Sequence, residues 1–528
     1  MGIGATAGVA AVGGIALSAQ ASSDSAASAS SASADSLVFD PDGYTKLTTA
    51  VTDTDGTDHV VTYHFWKAIT YVANPVDTTY QSLNVSVPVE IDGTAVDASG
   101  APILFANSVG GYMPSSVADA TGIGGASMAG GGAPGGMPSG SAAPSASAPG
   151  GSTNAAGGAL NTNQLLALAA GYVVVEPGAR GRTLKNSDGE YYGTAPAVIV
   201  DLKAAVRYVR FNKGRIPGNV DRIVSAGTSA GGAVSALLGA SGDSPLYDRY
   251  LRELGAADAS DAIFATGAWC PITDLEHADG AYEWNWGTNV TRSTGKVVDQ
   301  SVSKDLVAQF AEYQAGLHLE GLNGFGPLTA RNLDDYLVKQ YLEPSATKYL
   351  TDLSDSDRAA YLAANTFITW KNGRATFTWA DFLTHVGARK KTTPAFDAFD
   401  LSAGENNEFG AGTTGIRHFT AYSLKHDTTG ATGTRLDGDI PEKLRLMNPM
   451  HFLARKANPG RSRHWWIRLG TKDSDTSLTV SANLAAAAAG LGDDVSHLYY
   501  WDQGHGANTD PGDFVKWIAE VTGYRKAR

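Results

Sequence analysis

The segment Ile223-Val224-Ser225-Ala226-Gly227-Thr228-Ser229-Ala230-Gly231-Gly232 sets Ser229 in a Gly-x-Ser-x-Gly turn. A β-branched run precedes the turn, and the small-residue stretch Ala233–Leu238 follows it with helical character. Strand, sharp turn and helix must therefore succeed one another without a spacer. Only small side chains at 227 and 231 allow that close backbone approach, and the arrangement lifts a serine hydroxyl clear of a sheet edge. Glycine fills 62 of 528 positions, so this short pattern alone arises by chance on the order of once per chain. The flanking strand and helix are what make it informative.

The rest of the chain alternates strands with helices, which implies a mostly parallel sheet. Strands are expected at Val60–Val72, Gln81–Ile91, Pro102–Asn107, Tyr172–Glu176, around Ile223, and at Ile263–Gly267, His464–Gly470 and His497–Trp501. The first two form an antiparallel pair around the break at Asn74-Pro75. Val198–Phe211 has the spacing of a helix. The fold class is α/β, of the α/β-hydrolase fold, with helices flanking the sheet. Its core comprises residues 37–274 and 446–528, interrupted by a large inserted cap (lid) domain at 275–445 that roofs a pocket. From about 116 to 160 the composition collapses to Gly, Ala, Ser and Pro, and a disordered insertion is expected there. The acidic run Asp53–Asp58 resembles a calcium loop but lacks the closing glutamate, so a hairpin turn is expected.

A net charge of -13, with no basic run longer than Arg389-Lys390-Lys391, excludes nucleic acid as a partner. Cys270 is the single cysteine, so neither an intrachain disulfide nor a thiolate metal cluster is available. It reads as a small buried residue, and neither metal nor cofactor is expected. Residues 1–21 are apolar and end in Ala19-Gln20-Ala21, the pattern of a signal peptide, although no Lys or Arg precedes the apolar stretch. Five glycines among the first fourteen residues argue against stable membrane insertion. Residues 22–36 form a Ser/Ala-rich linker, and a secreted or cell-surface location follows.

A serine nucleophile needs a base and an acid, in the chain order Ser, Asp or Glu, His. Thr471–Ser477 follows a strand and offers two carboxylates, Asp473 and Asp475, where the acid belongs. Trp501-Asp502-Gln503-Gly504-His505-Gly506 then places a glycine-flanked His505 ahead of the terminal helix. His451, His464 and His497 flank apolar segments and read as packed side chains. The set Ser229, Asp473, His505 supports acyl transfer, with oxyanion donors from the backbone N–H of Ala230 and of the Gly110-Gly111 segment. Those two glycines also fit a plain turn.

These residues resemble the bacterial tannases, α/β-hydrolase-fold serine esterases that cleave galloyl esters. The resemblance spans most of the chain. It rests on Tyr80–Val85, Gly227–Gly232, Cys270–Leu275, Lys391–Glu405 with Phe396-Asp397, and Asp473–Ser477 ahead of His505. It implies that Asp473 completes the triad and that Lys391, Glu405 and Asp475 contact the three phenolic hydroxyls of a small-molecule ester. Lys390 is an alternative to Lys391. On the residues alone, Lys391 also fits a solvated charge run and Glu405 a loop carboxylate. Other readings of the same chain are a feruloyl or general carboxylesterase, a peptidase, or a non-catalytic extracellular binding module on a hydrolase scaffold.

Overall fold

A computed structural model describes residues 36–128, 155–430, 433–455 and 457–525. The expected signal peptide and nearly all of the 22–36 linker lie outside them. The strands of the central sheet are β1 (Thr45–Thr52), β2 (Asp58–Thr70), β3 (Ser82–Ile91), β4 (Pro102–Ala106), β5 (Val173–Pro177), β6 (Asn219–Thr228), β7 (Ala265–Trp269), β8 (His464–Gly470) and β9 (Asp494–Tyr500). They lie in the order β1-β2-β3-β5-β4-β6-β7-β8-β9, and the short strand Thr94–Ala95 pairs beside β3. Pairing is antiparallel from β1 through β3 to β5 and parallel from β5 to β9.

The parallel half is apolar on both faces, as a sheet covered on both sides requires. Val173, Val174, Val175, Ile223, Val224, Trp465 and Ile467 are all fully buried. Helix α1 (Ala155–Ala169) packs on β5, and α2 (Ala197–Phe211) precedes β6. Helix α3 (Ala230–Ser241) is buried along its whole length. Its small side chains are dictated by proximity: a Cβ on Gly239 would lie 2.1 Å from Thr266 Oγ1.

The tract expected to be disordered from about 116 to 160 is ordered at both edges. Val117 and Ala120 are buried, the Gly124 N–H donates to Glu176, and α1 begins at Ala155. A buried carboxylate acceptor and a small apolar contact suffice to hold the Gly-rich edge. Residues 129–154 lie outside the described ones. The β7 strand starts at Ala265, two residues later than the apolar run suggested, because pairing with β6 begins only at Val224. Strand β1 was not foreseen. It is an edge strand whose side chains are mostly exposed, so it carries little apolar pattern. The Asp53–Asp58 run is a hairpin turn in which Asp53 Oδ1 accepts the Asp55 N–H at 2.9 Å.

Between β7 and β8 the chain builds mainly helices, among them α4 (Leu275–Trp286), α5 (Gln300–Gly316), α6 (Asp355–Ala364), α7 (Trp379–Val386) and α8 (Gly404–Glu408), with two small two-stranded hairpins, Glu320–Gly321 with Gly326–Pro327 and Thr369–Lys371 with Arg374–Thr376. Helix α7 opens on a capping box in which Thr378 and Asp381 exchange side-chain and backbone hydrogen bonds. Helix α9 (Leu478–Gly490) and the terminal α10 (Pro511–Thr522) complete the flanking layers. Strands β4 and β6 to β9 run parallel, so their C-terminal ends, with the loops that follow, share one edge. An open α/β sheet binds its ligands at that edge.

Candidate active site

Ser229 follows the last residue of β6 and precedes the first of α3, with φ 62° and ψ -124°. A non-glycine residue in this region is strained by about 1–3 kcal/mol and persists only where the surroundings enforce it. The enforcement is visible on both sides. The Ser229 N–H donates to Trp269 O at 3.0 Å, and the Ile272 N–H reaches Ser229 O. A Cβ on Gly227 would stand 2.3 Å from Gly231 O, and one on Gly231 would stand 2.6 Å from Val109 O. The two glycines of the motif are therefore a consequence of backbone contact.

His505 Nε2 lies 2.9 Å from Ser229 Oγ, and its Nδ1 lies 2.8 Å from Asp473 Oδ2. Asp473 is 1% exposed, and its second oxygen accepts the Asp475 N–H at 2.9 Å. The Nδ1 proton must therefore sit between ring and carboxylate, leaving Nε2 as the acceptor facing the hydroxyl. Burial disfavours a charged His505, yet the adjacent Asp473 carboxylate and the Cys270 sulfur together outweigh it and raise the imidazole pKa. Cys270 is buried with its Sγ 4.0 Å from His505 Nε2. Cys270, Asp473 and His505 are the one cluster of three potential metal ligands among the described residues. The last two are already engaged with each other.

The Ala230 N–H is the first of α3 and has no intrahelical acceptor. Among the described residues it donates to nothing, and neither does the N–H of Gly110 or Gly111. Gly110-Gly111 follows β4, next to the elbow. Asn107, which the sequence reading passed over, ties the two together. Its Nδ2 donates to Ala226 O (3.0 Å) and Gly231 O (3.1 Å), and its Oδ1 accepts the Val109 N–H. A polar residue closing an otherwise apolar strand was the available signal. Arg182 was also missed; it donates to Gly111 O at 2.8 Å and to Asn407 Oδ1 in α8.

Lys390 and Lys391 both reach the neighbourhood, with different partners. Lys390 Nζ lies 2.6 Å from Asp475 Oδ1, with its side chain 55% exposed. Lys391 Nζ lies 3.8 Å from Glu405 and 3.5 Å from the centre of the Phe396 ring. Burial works against a charged Asp475, but His505, Lys390 and Lys391 together hold its pKa below the usual carboxylate range. Tyr282 and Trp286 of α4 donate to Ser474 O and Thr476 O, fixing the loop that carries both aspartates. The site is thus a serine–imidazole–carboxylate chain beside a half-buried cluster of two ammonium and two carboxylate groups.

A mostly parallel sheet with Ser229, Asp473 and His505 in loops at its C-terminal edge is the architecture of the α/β-hydrolase fold. A family model described as BD-FAE matches residues 151–312. A tannin acyl hydrolase solved in complex with 3,4-dihydroxybenzoate is 34% identical with a TM-score of 0.75, covering 93% of this chain and 99% of that one. The Fusobacterium nucleatum tannase is 34% identical with a TM-score of 0.74, covering 92% of this chain and 99% of its own. The native tannin acyl hydrolase of Lactobacillus plantarum is 33% identical with a TM-score of 0.75, over 93% and 99% respectively. No curated protein matches. The chain belongs to the bacterial tannase family.

Proposed function

We propose that the chain is a secreted serine esterase that hydrolyses galloyl esters through an acyl-enzyme. His505 Nε2 takes the Ser229 proton as Oγ attacks the ester carbonyl, and Asp473 stabilises the imidazolium that forms. The N–H groups of Ala230 and of Gly110 or Gly111 receive the developing oxyanion. Collapse of the tetrahedral intermediate breaks the bond to the alcohol, which leaves with the proton from Nε2. Water, activated by the same imidazole, then releases the acid and restores Ser229.

Three adjacent phenolic hydroxyls supply donors for carboxylates and lone pairs for an ammonium. Lys391, Glu405 and Asp475 provide that complement, with Lys390 as an additional partner of Asp475. Residues 275–445 act as a lid over this cluster. Among solved relatives, a tannin acyl hydrolase is known in complex with ethyl gallate, which supports the same acyl group here. Export through residues 1–21 completes the proposal. Among the described residues no helix is long and apolar enough to cross a membrane.

The observation that carries the reading is the unbroken Ser229–His505–Asp473 hydrogen-bond chain. Hydrolysis of methyl gallate and methyl ferulate by wild type and Ser229→Ala tests it. The wild type should prefer methyl gallate and the variant should lose activity. Preference for ferulate overturns the galloyl assignment, and an active variant overturns the mechanism.

A further inference from the structure

Asp502 stands three residues before His505 in the loop after β9, and the catalytic reading does not use it. It has φ 59°, a conformation that Asp and Asn tolerate better than other side chains. Its carboxylate collects three groups, and its backbone N–H makes a fourth link. His385 Nε2 of α7 lies 2.5 Å from Oδ1, and the Tyr361 hydroxyl of α6 donates to Oδ2 at 2.5 Å. Lys472, immediately before Asp473, places Nζ 3.0 Å from Oδ1. The Asp502 N–H donates to Thr471 Oγ1 at 2.8 Å. Trp501 Nε1 donates to the same Tyr361 hydroxyl at 2.7 Å, and the His385 ring stacks on Trp501 with centroids 5.5 Å apart and planes 7° apart.

One carboxylate therefore joins the segment between β7 and β8, the loop of the acid and the loop of the base. The Lys472 N–H also donates to Gln503 O, and the Thr471 N–H to Tyr500 O, so the two loops are tied directly to each other. Burial alone would raise the Asp502 pKa, but the bonds from His385 and Tyr361, with the neighbouring Lys472, hold it down at about 2.

We propose that Asp502, gripped by His385 and Tyr361, is a positioning residue that holds His505 in line with Ser229 and transmits the placement of the inserted segment to the base. This rests on Ser229, His505 and Asp473 being the catalytic set. Displacement of a reacting group by about 1 Å lowers a rate by up to 10²-fold, so loosening the clamp should lower turnover while leaving the ester-binding cluster intact.

The test uses the full chain as wild type, Asp502→Asn, His385→Leu and His385→Gln. Asparagine keeps the left-handed backbone, and glutamine keeps a donor toward Asp502. Two readouts are followed beside thermal unfolding: kcat and KM for methyl gallate, and the rate at which a fluorophosphonate labels Ser229. Asp502→Asn and His385→Leu should lower both kcat and the labelling rate by about 10 to 100-fold with KM within about twofold. His385→Gln should recover most of both. Folded variants that label at the wild-type rate, a loss carried by KM alone, or a glutamine variant as slow as leucine would overturn the inference. Labelling needs an activated serine but no galloyl group. A wild type that labels at Ser229 without cleaving methyl gallate therefore refutes the galloyl reading and leaves this one standing, whereas no labelling of the wild type refutes both.

Discussion

Gly231→Ala probes the elbow and the proposed oxyanion loop together. The added methyl would lie 2.6 Å from Val109 O and 2.7 Å from Asn107 Oδ1, where ordinary contact begins at 3.4 Å. Val109 O is backbone, and Asn107 is held by three hydrogen bonds, so neither yields by a simple side-chain rotation. The elbow and the Val109–Gly111 segment must separate by about 0.8 Å, which moves the Gly110 and Gly111 N–H groups away from the position of the oxyanion. Loss of one such donor lowers kcat by about 10² to 10³-fold, and the overpacking itself costs about 1–3 kcal/mol of stability. Steady-state hydrolysis of methyl gallate should therefore show kcat down by about 10²-fold in a protein that still unfolds cooperatively. Gly316→Ala, where nothing lies within 4 Å of the new methyl, is the control and should behave as wild type. A folded Gly231→Ala enzyme with wild-type kcat would refute the assignment of this loop to the oxyanion.

Three further outcomes follow from the same geometry. An imidazole is a base only when neutral, and Asp473 with the Cys270 sulfur raises the His505 pKa against the effect of burial. The acidic limb of kcat/KM should lie above the ordinary histidine range, and Asp473→Asn should shift it downward while lowering kcat by about 10⁴-fold; a pH–rate profile reads both. Lys391→Met, Glu405→Gln and Asp475→Asn should each lower kcat/KM for methyl gallate by about 10 to 100-fold with far less effect on methyl benzoate, since only the gallate ring carries hydroxyls that pair with those groups and would be left unpaired by their loss. Glu176 is buried, accepts from Gln164 and Gly124, and is pushed up by burial to about 7. A carboxyl with a raised folded pKa stabilises fully below its unfolded value and progressively less as pH climbs toward 7. Glu176→Gln should flatten the fall in melting temperature over that window.

The residues legible in the sequence are those whose chemistry is written locally. The Ser229 turn needs glycines within two residues, Asp473 follows a strand in a polar loop, and His505 sits between glycines ahead of a helix. The apolar parallel strands were readable for the same reason, since burial on both faces leaves a continuous hydrophobic run. What escaped depends on pairs distant in sequence. Asn107 meets Gly231 across 124 residues, Arg182 meets Asn407 across 225, and His385 meets Asp502 across 117. None of these has a period or a neighbour that announces it. Likewise, composition alone could not show that residues 117–128 are ordered, because that order comes from packing and from the N–H of Gly124 on the remote Glu176.

The account turns on a galloyl group carried by Ser229. Rapid acid quench during methyl gallate turnover, followed by peptide mass spectrometry, tests this most directly. It should find the acyl group esterified to the serine of the peptide that spans Gly227–Gly232. A galloyl group on a different side chain, or no acyl peptide at any quench time while methyl gallate is being consumed, would contradict it.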